Sequence, residues 1–359
     1  MNLPSGTVTR ASVPDLSDYD LVAPQLSGGQ DSALTMCLTM EAAVRDGVPD
    51  RVRSYHSALP VLDWPEVVHD GQRWPGVAEL AARQGAAFGP TAGHTEVTRM
   101  MPGPDGTPMP HSLLTEIALY GRFPRMGSKF CTKSAKESVV NVAWTPYVRQ
   151  RSKELGRPVR ILKAMGMRRD ESRGRSTLEP YRNVVTNGAR IVDEWLPALM
   201  WKRNEVQEWS EDHPELKHWT YDSVPGAMDW LGTRRCSCSL CSFAGYRDHL
   251  IAIRRRPRLA ALYAEVETVR GDSLTAGRRI TDLIHLAHSL GAPDSGVVLP
   301  DDGPEFTAVA HQVRTALTLP PRKAVDLAAR ADDEPSTPCD GCSAFTQRLP
   351  LTRITTVGE

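Results

Sequence analysis

A short glycine-containing hexapeptide, Ser27-Gly-Gly-Gln-Asp-Ser32, is the first part of the chain whose residue types suit chemistry. It follows an apolar run at 20–26 and precedes helix-forming residues at 33–44, which predicts a strand, a glycine turn and a helix. Glycines there let backbone amides approach a phosphate, and a helix N-terminus adds about half a positive charge. Asp31 is suited to hold Mg²⁺ beside the phosphates. The simpler alternative is a turn with a serine cap.

Cysteines form the second candidate site. Cys236, Cys238 and Cys241 lie close together in the sequence, and Cys131 brings the number of candidate ligands to four. Four thiolates suit a [4Fe-4S] cluster or a structural Zn²⁺, although the Cys-x-Cys spacing makes ligation by Cys236 strained. Free or redox-paired thiols are the third alternative. Cys37, within a predicted helix, is expected to be a core residue.

Positive charge is concentrated in one region. The whole chain has 43 Lys and Arg against 43 Asp and Glu, but Gly121–Arg182 has 16 against 5, a net charge of +11. Such an excess attracts the phosphates of a nucleotide or of nucleic acid, whereas the alternative is a solvated basic surface. Arg168, Arg173 and Arg175 follow a predicted strand at 159–165. Ligands of open α/β sheets bind beyond the ends of such strands.

The composition bounds the class of protein. The chain has 359 residues, of which 40% are hydrophobic and 24% are charged, which excludes a wholly disordered protein. Met1–Asp20 has no apolar signal core, and no apolar run approaches the roughly 20 residues that span a bilayer. We therefore expect a cytoplasmic protein without membrane contact. Thiols stay reduced in that compartment.

Alternating strands and helices predict an α/β fold with a mainly parallel sheet, helices on both faces and a helical C-terminal region. A loop is expected at 91–110, and Pro146 is a candidate break in a helix at 135–150. The expected organisation has four parts. These are an N-terminal extension at 1–19, a nucleotide-binding domain with the cysteine cluster at 20–248, a helical region at 249–318 and a flexible tail at 319–359.

The hexapeptide resembles the pyrophosphate loop of the adenine nucleotide alpha-hydrolase superfamily. The resemblance implies a fold of that type and a grip on the pyrophosphate of ATP. The residues that it assigns to this grip are Ser27, Gly28, Gly29, Asp31 and Ser32.

Two further segments resemble the phosphoadenosine phosphosulfate reductase family, and with the loop the likeness covers about 20–270. Gly121–Lys136 is similar to the family's Arg-x-Cys-Thr-x-x-x-Lys element, with Lys129 where arginine is usual. Gly166–Arg175 is similar to its Gly-x-Arg-x-x-Glu-Ser-x-x-Arg element, and His56 resembles a residue near the nucleotide base. The implied nucleotide-binding residues are His56, Lys129, Arg168, Glu171, Ser172 and Arg175, and the implied catalytic residues are Asp31, Lys136, Arg168 and Cys339.

Cys339-Asp-Gly-Cys342 follows a predicted linker at 332–338. Reductases of the family keep a catalytic cysteine on a mobile C-terminal tail, which makes Cys339 a candidate swinging thiol. The family's Glu-Cys-Gly context is missing here. The alternative is a loose or zinc-held tail without a catalytic part.

The resemblance implies an enzyme that binds an adenine nucleotide and transfers sulfur. Because Asp31 is retained, we expect ATP cleavage to AMP and pyrophosphate, similar to the DNA phosphorothioation sulfurtransferases. The alternatives are a reductase that releases sulfite from adenylyl sulfate or phosphoadenylyl sulfate, and a non-catalytic nucleotide- or nucleic-acid-binding module with a structural metal. Expected partners are a sulfur donor, such as a cysteine desulfurase or thioredoxin-like protein, and DNA or tRNA as acceptor.

Overall fold

A mixed sheet with a parallel centre organises the chain. The computed structural model describes residues 13–69, 71–103, 106–221, 232–236, 238–275, 277–290, 297–322 and 352–357. The strands, in chain order, are β1 (Leu21–Gln25), β2 (Ser54–Ala58), β3 (Val67–His69), β4 (Gln72–Trp74), β5 (His94–Pro102), β6 (Pro108–Pro110), β7 (Val159–Met165), β8 (Tyr181–Thr186), β9 (Arg190–Trp195) and β10 (Thr352–Val357).

The strand order across the main sheet is β10-β5-β2-β1-β7-β9-β8. Strands β5, β2, β1, β7 and β9 run parallel, while β10 and β8 pair antiparallel at the two edges. In the centre, Leu21 of β1 pairs with Ile161 of β7. Strand β6 pairs with β5, and β3 and β4 form a separate two-stranded sheet. The prediction of a mainly parallel sheet is confirmed.

The helices connect the strands and form the C-terminal region. They are α1 (Gln30–Arg45), α2 (Val77–Ala86), α3 (Leu113–Tyr120), α4 (Phe130–Thr132), α5 (Ser138–Leu155), α6 (Arg203–Glu211), α7 (Tyr246–Arg255), α8 (Pro257–Arg270), α9 (Ile280–Ser289) and α10 (Pro304–Thr318). Helices α7 to α10 bear out the expected helical region near the C-terminus.

Strand β1 is apolar from Leu21 to Pro24 because both faces of the sheet are covered. Val22 belongs to a buried cluster that includes Met40 of α1. Its neighbours Leu21 and Ala23 face the other way, into a cluster with Trp144 of α5. This alternation places α1 and α5 on opposite faces of the sheet, as predicted.

The largest buried cluster lies beside the sheet. It joins apolar residues of α3 and of helices α7 to α10 with the segment between β2 and α2. Phe123 stacks on Tyr263 of α8, with ring centroids 6.0 Å apart. Trp64 and Trp219 meet edge to face at 5.4 Å. The C-terminal helices thereby pack against the segment between β2 and α2 and against the segment that precedes α4.

Two expectations about local structure were wrong. The expected loop at 91–110 contains β5 and β6, because pairing of β5 with β2 and β10 overrides the nearby glycine and proline signals. Pro146 lies inside α5 without ending it. The residue is exposed, so the carbonyl that loses its helical partner there faces water.

The tail predicted at 319–359 contains a strand, β10, in its final part. Thr352–Val357 pairs antiparallel with β5, from Thr352 opposite Arg99 to Val357 opposite His94. Its β-branched residues favour a strand. Cys339 and Cys342 lie outside the described residues. Among the residues that the structure describes, no helix is long and apolar enough to cross a membrane.

Candidate functional site

The two loops that follow β1 and β7 meet at the point where the strand order reverses. From β1 the chain builds outward through β2 and β5 on one side, and later through β7 and β9 on the other. The crevice beyond the carboxyl ends of the strands at such a reversal is where open α/β sheets bind ligands. The hexapeptide after β1 and Gly166–Arg175 after β7 both lie there.

The hexapeptide Ser27–Ser32, here named the phosphate loop, closes on itself through its serines. The Ser27 amide donates to Ser32 Oγ at 3.2 Å, and Ser32 Oγ donates to the Gly29 carbonyl at 2.8 Å. Gly28 has φ +72°, a left-handed conformation that favours glycine. Helix α1 begins directly after Gly29, so its first amides lack acceptors within the helix. This geometry suits an anion.

Gln84 of α2 supports the loop from behind. Its Nε2 donates to the Gly29 carbonyl at 3.4 Å and to the Leu216 carbonyl at 3.0 Å. Its Oε1 lies 3.3 Å from Ser32 Oγ. The residue is fully buried, so these contacts are sheltered from water. The sequence carried no signal for Gln84, because a single glutamine in an amphipathic helix has no recognisable spacing.

Arg168 and Asp31 join the two predicted loops. The Arg168 guanidinium pairs with the Asp31 carboxylate, and its Nε also donates to Asp170 at 3.0 Å. Gly166 makes this approach possible, since an added Cβ would lie 2.7 Å from the Asp31 carbonyl oxygen. A Mg²⁺ entering with ATP would share the Asp31 carboxylate with this guanidinium, and the phosphates would supply most of its other ligands.

Further positive charge lies in the loop after β7. Glu171 pairs with Arg175 and lies 4.0 Å from the Arg235 guanidinium. Burial, together with the charges of Arg235 and Arg168, lowers the pKa of Arg175 to about 10. Ser172 Oγ accepts the Arg175 amide hydrogen at 3.3 Å. Guanidinium groups that repel one another in this way are stabilised by a bound anion.

His56 lies beneath the phosphate loop and is 2% exposed. Its Nδ1 donates to the Leu26 carbonyl at 2.9 Å, and its Nε2 lies 3.6 Å from Asp63. Burial opposes the charged ring, but the Asp63 carboxylate and the Leu26 carbonyl outweigh burial and raise the pKa of His56. In this structure His56 contacts the loop through Leu26, the residue before Ser27.

Cys131 and Lys136 lie at the start of the long element that ends as α5. Cys131 is within α4, and a π-helical turn at Lys133–Glu137 carries Lys136. Such turns occur often at functional sites. Ser57 Oγ at the end of β2 donates to the Ala135 carbonyl at 3.0 Å, which fixes this turn against the sheet. Lys129 is exposed, with Nζ 5.8 Å from the Phe243 ring centroid.

The cysteine cluster, which consists of Cys131, Cys236, Cys238 and Cys241, surrounds the Lys136 ammonium. Burial opposes the ammonium charge, but Cys238, Cys241 and Cys131 outweigh burial and raise the pKa of Lys136. A hydrogen bond from the Cys238 thiol lowers the pKa of Cys241. Burial raises the pKa of Cys236 and of Cys131. Cys37 lies apart in α1, where burial raises the pKa of its thiol to about 12.

The donor chemistry of the cysteine cluster suits Zn²⁺ or an iron–sulfur cluster, but the side chains do not converge as ligands. Among the described residues, no group of three or more His, Cys, Asp or Glu side chains is arranged to hold a metal ion. The Lys136 ammonium, carried by the π-helical turn, instead lies near these thiols. No step proposed below therefore passes through a metal.

The phosphate loop and the cysteine cluster lie close together. A Cβ added at Gly29 would lie 3.3 Å from the Tyr221 hydroxyl and 3.7 Å from Cys236 Cβ. Tyr221, like Gln84, was not anticipated from the sequence, since a single aromatic residue gives no spacing signal. The fold thus places a candidate phosphate grip directly beside thiols.

No protein-family model matches the chain, and no curated protein is significantly similar to it. The function is therefore inferred from the geometry and chemistry of the site.

Proposed function

We propose that this protein is an adenine-nucleotide-dependent sulfurtransferase of the phosphoadenosine phosphosulfate reductase type. The observation that carries the proposal is the closeness of the phosphate loop to Cys236: the Gln30 and Cys236 amides donate to the same Tyr221 hydroxyl. A site that binds ATP can activate an acceptor, and thiols beside it can supply or receive sulfur. The phosphate loop and the cysteine cluster favour sulfur transfer only because they occur together.

ATP cleavage at the α-phosphorus is the first proposed step. Backbone amides of the phosphate loop and of the first turn of α1 hold the pyrophosphate, while Arg168 and Arg175 offset the charge that develops on the phosphoryl oxygens. An acceptor oxygen attacks the α-phosphorus and pyrophosphate leaves. The acceptor is thereby adenylated.

Sulfur transfer is the second proposed step. The outer sulfur of a persulfide attacks the activated acceptor, and AMP leaves. A second thiol attacks the resulting disulfide and frees the thiolated acceptor. The protein disulfide that remains is reduced by a thioredoxin-like partner, and a cysteine desulfurase supplies new persulfide sulfur.

The acceptor is proposed to be a polyanion, DNA or tRNA. Arg173 is exposed in the loop that carries Arg168, and Lys129 is exposed beside the cysteine segment at Phe243. Positive side chains at the mouth of a site attract phosphates of a nucleic-acid backbone.

Two parallel reactions test the proposal. In one, the protein receives ATP, Mg²⁺, a persulfide donor and DNA or tRNA; in the other, it receives adenylyl sulfate and a reduced thioredoxin-like protein. Sulfur incorporation into nucleic acid with AMP formation supports the proposal. Sulfite release from adenylyl sulfate without ATP cleavage supports a reductase instead.

A non-catalytic binding module predicts a different result. Such a module keeps its nucleic-acid affinity when Asp31 is replaced by alanine and shows no turnover in either reaction. The sulfurtransferase loses turnover in Asp31→Ala while the wild-type protein is active.

A further inference from the structure

Tyr221 places one oxygen atom between the two halves of the site. Its hydroxyl accepts the Gln30 amide hydrogen at 3.3 Å and the Cys236 amide hydrogen at 2.9 Å. Gln30 is the first residue of α1, and Cys236 is the first cysteine of its segment. The phenol oxygen is thus a shared acceptor for the phosphate loop and the cysteine cluster.

The backbone around Tyr221 is held on both sides. The Thr233 amide and its hydroxyl donate to the Thr220 carbonyl at 2.6 Å and 3.1 Å, so the segment leading to Cys236 runs beside this turn. On the other side, the buried Trp219 packs against Trp64. Because the backbone of Tyr221 is fixed in this way, a displacement of its hydroxyl moves the groups that are hydrogen-bonded to it.

We propose that Tyr221 is a positioning residue that couples occupation of the phosphate loop to the placement of Cys236. The coupling rests on the proposed function, because it needs a nucleotide on the loop. The amides at the start of α1 share the helix-end charge, so an anion bound there orders the Gln30 amide. Ordering of that amide fixes the Tyr221 hydroxyl, which in turn orders the Cys236 amide.

Amide hydrogen exchange in the Thr233–Cys236 segment measures this coupling. The probe is α,β-methylene ATP with Mg²⁺, which binds without cleavage at the α-phosphorus. In the wild-type protein we expect the bound probe to slow exchange in this segment about fivefold, the effect of strengthening one ordinary hydrogen bond. Unchanged exchange in the wild-type protein, with the probe bound by calorimetry, would overturn the proposal without any variant.

Tyr221→Phe removes the shared acceptor and keeps the ring. We expect this variant to bind the probe, but the bound probe should slow exchange by less than about twofold. The variant should also have a reduced kcat with little change in the KM for ATP. Tyr263→Phe is the matched control, since Tyr263 is a second buried tyrosine whose charge interactions include Cys238 and Cys241. The control retains the slowing.

The outcomes separate the coupling from the function on which it rests. Retained slowing in Tyr221→Phe overturns the coupling and leaves the proposed function standing. Failure of the wild-type protein to bind the probe overturns the proposed function, and the coupling with it.

Discussion

The Arg168 guanidinium forms an ion pair with the Asp31 carboxylate across the gap between the loops that follow β7 and β1. The two residues are 137 positions apart in the chain, and each belongs to a separate sequence motif. Because the two residues meet where the strand order reverses, the two motifs form one site. Arg168 is buried, so the pair is partly sheltered from water and from screening ions.

Loss of either partner of this pair should abolish nucleotide cleavage. Asp31→Asn removes the carboxylate that orients the Arg168 guanidinium, and Arg168→Lys removes the planar guanidinium itself. Each is expected to lower AMP formation by about 100-fold or more, the typical cost of losing one oriented donor at a developing oxyanion. Steady-state assays with ATP, Mg²⁺, the acceptor nucleic acid, a persulfide donor and a reduced thioredoxin-like protein measure this. Arg149→Lys, at an exposed position of α5, is the control and should retain activity. Full activity in Arg168→Lys would contradict the assigned role of its planar guanidinium.

Gly166 should tolerate no side chain. A Cβ at this position meets the Asp31 carbonyl oxygen at 2.7 Å, so Gly166→Ala must push α1 away from the end of β7. We expect a loss of roughly 1–3 kcal/mol in the free energy of unfolding, as for other overpacked sites, together with weaker ATP binding. Gly174→Ala lies in the same loop with open space around it and should change neither quantity. Urea unfolding and calorimetry measure the two effects.

The phosphate loop and β7 were predictable because local patterns specify them. Val159–Met165 is a mostly apolar segment, with Arg160 and Lys163 as its charged residues, bounded by Pro158 and Gly166, and the structure has a strand with these same bounds. The contact between Asp31 and Arg168 is harder to predict from the sequence, since it requires β1 and β7 to be neighbours in the sheet. That pairing depends on long-range packing, for which one sequence gives no pattern.

Other parts of the site could not be predicted for definable reasons. Gln84 and Tyr221 act through single hydrogen bonds to the backbone of a distant loop, so neither has a motif. Strand β5 was missed because its pattern is interrupted by the polar residues Thr95 and Thr98, which are buried in the fold. The pairing of the edge strand β10 with β5 is a contact of long sequence separation, for which one sequence gives no pattern.

Metal content distinguishes two roles of the cysteine cluster, metal binding and sulfur transfer. Because its side chains are not arranged as ligands, we expect protein purified without oxygen to be colourless and to hold no stoichiometric iron or zinc. Metal analysis and visible absorbance measure this. Iron or zinc that is lost in Cys131→Ser, Cys236→Ser, Cys238→Ser and Cys241→Ser, and kept in the control Cys37→Ala in the buried face of α1, would contradict the expectation and assign the thiols to a metal site.

His94 should make stability depend on pH. Burial, and then the charge of His56, lowers the pKa of His94 from 6.5 to about 4. The native state therefore binds fewer protons than the unfolded chain between these values, so stability present above pH 6.5 is lost as the pH falls toward 4. From pH 7.5 to 5 this loss is on the order of 1–2 kcal/mol.

Urea unfolding at the two pH values checks this prediction. His94→Gln should reduce the difference between pH 7.5 and 5, because glutamine does not titrate. His285→Gln, at an exposed position of α9, should leave the difference as it is in the wild-type protein. An equal pH dependence in His94→Gln and wild type would show that His94 is not the group responsible.

The products formed from labelled ATP decide whether the protein cleaves ATP at the α-phosphorus. The protein is incubated with Mg²⁺, the acceptor nucleic acid, a persulfide donor and ATP that carries label either at the α-phosphate or at the γ-phosphate, and the products are separated by chromatography. Cleavage at the α-phosphorus predicts α-label in AMP and γ-label in pyrophosphate, with both signals lost in Asp31→Asn. Label appearing as ADP and inorganic phosphate, or remaining entirely in ATP, would contradict the proposed function.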